Sequence, residues 1–81
     1  MYRQVLIGIH KTRYDDCIAL AKEKGGILST IQPTYDQEAD FIPVEINFND
    51  LNKMNEFIYG MYMRHGLYSY VDTIVMKSNI F

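Results

Sequence analysis

Two histidines, one cysteine and a scatter of carboxylates are the side chains in this sequence that could do chemistry. His10 sits in the stretch GIHKTR, with Lys11 and Arg13 close behind at what reads as a strand-to-helix turn. Amides at a helix N-terminus favour an anion, and two cations would strengthen that field. Asp15 and Asp16 follow at once and offset it, and Gly8 stands without the glycine pattern of a phosphate loop. Ordinary loop charges are the expected role. His65 closes a helical pattern, where it meets the terminal carbonyls and the negative end of the dipole. No pair among His10, His65 and Cys17 has zinc-like spacing, so neither metal nor cofactor is expected. Cys17 falls on the apolar side of a helical pattern and reads as an inert, buried thiol. Asp36, Glu38 and Asp40 crowd the segment DQEAD, but the glycine and bidentate glutamate of a calcium loop are missing. Asp72, within an apolar run, reads as a charge that protects a sheet edge. No catalytic set emerges, and a non-enzymatic protein is expected.

The elements that must carry these residues follow from periodicity. In YRQVLIGIH, Val5, Ile7 and Ile9 alternate with Gln4, Leu6, Gly8 and His10, the two-residue period of a strand. Thr12 reads as an N-cap, with Asp15 three residues on. Tyr14, Cys17, Ile18 and Ala21 then follow at helical spacing, and Gly25-Gly26 stop the helix. ILSTIQ, from Ile27 to Gln32, reads as a second strand. Pro33 and Pro43 bracket a loop, and the third strand's ladder is expected to begin after Pro43, with Val44, Ile46 and Phe48 on one face. Asn49 or Asp50 caps a second helix bearing Leu51, Met54, Phe57, Ile58 and Met61 on one side. Gly66 ends it, and LYSYVDTIVMK reads as the fourth strand.

The order is βαββαβ. It resembles the split βαβ arrangement of ferredoxin-like domains: a four-stranded antiparallel sheet with two helices on one face. That resemblance covers residues 1–81 as a single α+β domain and implies an architecture, not an activity. Hydrophobic residues at 48% and charged residues at 22% are ordinary globular values. A net charge of -2 gives no electrostatic footprint for nucleic acid. The positions an RNA-recognition sheet would fill with aromatics are here Leu6, Gly8, Glu45 and Asn47. No apolar run is long enough to span a bilayer, and a lone cysteine fits a reducing compartment. A cytoplasmic protein binding neither nucleic acid nor membrane is expected.

One excess remains. FIYGMYMRHGLYSY carries more apolar and aromatic side chains than one helix face can bury. The core arc of the second helix takes Leu51, Met54, Phe57, Ile58, Met61, Tyr62 and His65. Tyr59 and Met63 lie outside it, with Gly60 also facing away. If Asp72 points to solvent, Tyr68, Tyr70, Ile74 and Met76 share its face, opposite the helices. Tyrosine and methionine so placed point to protein contact, unless the tail Asn79-Ile80-Phe81 folds back over them. The expectation is an interaction module, self-associating or docked on a protein partner, with Tyr59, Met63, Tyr70, Ile74 and Met76 as anchors. An inhibitor or adaptor, such as a phage-encoded antagonist of a host protein, fits this description. Two alternatives stay open: an ACT-like domain binding a small molecule at a dimer interface, or a small dimeric α+β barrel enzyme with His10 or His65 as base.

Overall fold

The computed structural model describes residues 2–64 and 66–79. β1 (Tyr2–His10) passes through a 3-10 turn (Lys11–Arg13) into α1 (Tyr14–Glu23). β2 (Ile27–Leu28), β3 (Phe41–Phe48), α2 (Leu51–Met63), a second 3-10 turn (Leu67–Tyr70) and β4 (Val71–Asn79) come next along the chain. The strands make one open antiparallel sheet in the order β2-β3-β1-β4. A small α+β arrangement of four antiparallel strands and two helices is thus what the chain adopts. No helix among the described residues is long and apolar enough to cross a membrane.

The alternation in β1 does what its period requires. Val5, Ile7 and Ile9 are fully buried and pair with Ile46, Val44 and Ile42 of β3, so one face of the two central strands is apolar. Cys17, Leu20 and Ala21 of α1 and Met54, Phe57 and Met61 of α2 join those strand residues in one buried cluster. Phe48 and Phe57 meet within it at 5.5 Å between ring centroids. The Asp50 carboxylate caps α2 by accepting from the Asn52 N–H at 2.6 Å. Thr12 does not cap α1. The His10 ring takes the Thr12 N–H at 3.3 Å instead, and the α-helix starts only at Tyr14.

Three further expectations need correction, and each has a local cause. The second strand is two residues long, not six, because a side chain replaces its backbone. Gln32 Oε1 accepts from the Glu45 N–H at 2.8 Å, and Gln32 Nε2 donates to the Glu45 carbonyl at 3.0 Å. The Ser29 N–H reaches that same carbonyl at 3.1 Å. Second, Pro43 lies inside β3, opposite Gly8, rather than before it. Backbone groups of residues two apart on a strand point the same way. The Glu45 N–H points away from β1 towards Gln32, so the Pro43 nitrogen also points away from β1. Proline therefore removes no bond from the central ladder.

Third, β4 begins at Val71, and Tyr68 and Tyr70 belong to the 3-10 turn before it. Ile9 pairs with Val71 and Gly8 with Thr73, leaving Asp72 as the extra residue of a bulge. A Cβ on Gly8 would overlap the Asp72 carboxylate, so Asp72 lies over the open face of the sheet as expected. The bulge then reverses the phase of the strand beyond it. Ile74 pairs with Ile7 and Met76 with Val5, which places both on the helix side. Ile74 packs on the core there, and Thr73 and Val75 take the open face instead.

Candidate functional site: a groove along the second helix

Gly60 does not face away from the other elements. A Cβ there would sit 3.0 Å from one Leu20 methyl and 3.2 Å from the other, so glycine lets α2 approach α1 at this point. The close crossing opens a groove of about 1110 Å³ on the outer side of the helix pair. Leu20 and Gly60 line its base, Tyr59 and Met63 rise along it, and Lys24 and Arg64 stand at its rim. Tyr59 is 66% exposed and Met63 67%, so two large apolar groups one turn apart remain uncovered. Arg64 Nη1 reaches Glu23 Oε2 at 2.8 Å and Lys24 Nζ lies 3.8 Å from the same oxygen. The hydrogen bond from Arg64 is the main cause holding the Glu23 carboxyl below its ordinary range.

The other expected anchors do not gather there. Tyr70 lies at the far end of β1, 40% exposed, with the Arg13 guanidinium 5.2 Å above its ring centroid. His10 packs edge-on between Phe41 at 5.3 Å and Tyr70 at 6.2 Å. Ile74 belongs to the margin of the core, and Met76 is 53% exposed at the outer strand. Tyr62 stacks on Tyr68 with centroids 4.2 Å apart, which accounts for two more of the surplus aromatics. The hydrogen bond with Tyr68 raises the pKa of Tyr62. His65, Ile80 and Phe81 lie outside the described residues.

The open face of the sheet is more polar than the outer residues of β4 implied. Gln4 donates through Nε2 to Glu45 and, at 3.2 Å, to Asn47, and Asn47 Nδ2 donates to Ser29 at 2.8 Å. Leu6, Gly8, Pro43, Asp72 and Thr73 line a smaller hollow of about 230 Å³ beside this network. The charges of GIHKTR are engaged locally. Lys11 reaches Asp40 at 3.4 Å, and Arg13 reaches Asp16 at 3.1 Å. His10 Nδ1 lies 2.8 Å from the Thr12 hydroxyl and 3.3 Å from the Thr12 amide nitrogen. In DQEAD, Asp36 accepts from the Glu38 N–H at 2.9 Å and so closes its own turn. Cys17 is fully buried, and burial pushes its thiol up to about 12. His10 lines neither hollow.

Sequence reasoning found the Tyr59 and Met63 stripe but missed its floor. Nothing in the spacing of Leu20 and Gly60, forty positions apart, signals that they touch. Set beside known proteins, the chain matches no family model and no curated sequence.

Proposed function

We propose that this protein is a small non-enzymatic interaction module that docks on a protein partner, as inhibitor or adaptor, through the groove along α2. The observation that carries this reading is the exposed pair Tyr59 and Met63 above a base of Leu20 and Gly60. Burying a side chain of that size contributes roughly 1.5–3 kcal/mol, so the two together can anchor a partner's apolar side chain. The Glu23–Arg64 pair at one end supplies a polar rim, the usual surround of such an anchor. A ferredoxin-like scaffold is the architecture we assign beneath it. The order β2-β3-β1-β4 supports that assignment, with β2 shortened to two residues by the Gln32 amide. A lone buried cysteine is in keeping with a cytoplasmic setting.

The test is capture from source-cell lysate by the wild-type protein, by Met63→Glu and by Lys22→Glu, an exposed change on α1 away from the groove. A charge placed in a buried contact is left unpaired, so Met63→Glu should lose a partner that Lys22→Glu retains. Retention of every partner by Met63→Glu, with affinity unchanged, would refute the groove as the docking site.

A further inference from the structure

β4 is nine residues long and occupies the end of the sheet. Its outward backbone groups can be assigned by parity. Val44 and Ile46 of β3 turn their backbone groups towards β1, so Ile7 and Val5 opposite them turn theirs towards β3. Leu6 and Gln4 therefore serve β4, where Val75 and Lys77 answer them. Ile74 and Met76 are left with N–H and C=O groups pointing out of the sheet, and no described strand meets them. Thr73, Ile74, Val75 and Met76 carry no charge and no proline, the usual defences of an exposed strand margin.

We propose that this margin pairs with the same margin of a second copy, antiparallel, about a two-fold axis at Val75. The strand's own residues select that occupant and that register. An antiparallel two-fold pairing keeps both helix layers on one side, so each residue must meet one from its own face. Centring on Val75 sets Val75 against Val75 of the second copy on the open face. On the helix side it sets Ile74 against Met76, twice, and Met76 is the residue the helix layer leaves 53% exposed. Those same two pairs exchange the outward N–H and C=O groups. Lys77 of one chain then lies opposite Thr73 of the other, beside the Asp72 that the bulge turns onto that face, so two opposite-charge pairs form. The neighbouring register, centred on Ile74, pairs Ile74 with itself and sets Met76 opposite Asp72, the bulged residue of the other face, so the outward groups of Met76 meet no partner in register. Pairing of the outward groups of both Ile74 and Met76 therefore favours the Val75 register, and the Asp72–Lys77 pairs favour a second copy as the occupant.

This surface is separate from the α2 groove, so the two readings fail separately: Met63→Glu leaves the strand untouched, and changes at the strand margin leave the groove intact. Light scattering on the full chain should give a concentration-dependent mass rising towards twice 9.5 kDa. Met76→Pro removes only an outward N–H, as an edge strand tolerates, and should hold the mass at that of one folded chain. Directly opposed residues of a non-hydrogen-bonded pair lie within disulfide reach. Val75→Cys should therefore cross-link to itself under mild oxidation. Thr73→Cys and Lys77→Cys should cross-link when mixed with each other and not alone. Wild-type protein that stays at single-chain mass at every concentration overturns the proposal. A dimer that persists in a folded Met76→Pro variant does so as well, as does a cross-linking pattern centred elsewhere. If Met76→Pro does not fold, the cysteine pattern alone decides.

Discussion

Cys17 offers a measurement whose size follows from its place in the core. The side chain has no exposed surface, and burial raises its pKa from the ordinary 9.0 to about 12. In the unfolded chain the thiol regains the ordinary value. Between those two values the unfolded chain has lost a proton that the native protein keeps, so stability falls as pH rises. The contribution is whole below pH 9 and diminishes towards pH 12. Ten-fold excess of thiolate in the unfolded state at pH 10 corresponds to about 1.4 kcal/mol lost relative to pH 8. Tyrosines and lysines titrate in the same range, so the informative quantity is the difference between wild type and Cys17→Ala. Urea unfolding of both proteins at pH 8 and pH 10 measures it. Wild type should lose about 1.4 kcal/mol more than the alanine variant over that interval. At pH 8 a thiol reagent should also react with native protein only as fast as the chain opens. Equal pH dependence in the two proteins, or equal thiol reactivity in native and denatured states, would refute the placement of Cys17 in the core.

Two more outcomes rest on close contacts. Gln32→Ala should cost about 1–2 kcal/mol and accelerate hydrogen exchange at the Glu45 amide, which Gln32→Glu, still an acceptor, should partly protect. Gly8→Ala should cost no more than about 1 kcal/mol in thermal unfolding, since the Asp72 carboxylate that its methyl would overlap ends an exposed side chain that can swing aside, and Asp72→Ala in the same chain should recover what is lost.

Elements whose side chains report on one face alone were legible in the sequence. Val5, Ile7 and Ile9 gave the buried side of β1, and Met54, Phe57 and Met61 gave that of α2, although Leu51 and Tyr62, expected on the same arc, are exposed. The cap of α2 was readable to within one position, Asn49 or Asp50, because cap and helix are local, and it is Asp50. What escaped depended on long-range events. A side-chain amide standing in for a strand cannot be seen in ILSTIQ, because its partner Glu45 lies 13 residues away. The bulge at Asp72 arises from pairing with Gly8 and Ile9, and it inverts the faces of Ile74 and Met76 although Asp72 itself was oriented correctly. For the candidate groove, Tyr59 and Met63 were visible as surplus on α2. Its base was not, since Gly60 looks solvent-facing until α1 is laid against it.

Gln32 has a consequence beyond the shape of its own loop. A sheet with two competent margins can recruit copies at both ends and grow into an open filament. Here the margin beyond β3 offers a strand of two residues, then a backbone position already satisfied by an amide, then a proline nitrogen. None of these can template an incoming chain. Union through β4 would therefore consume the one long competent margin of each copy and terminate there. The side chain of a single glutamine would make the assembly finite.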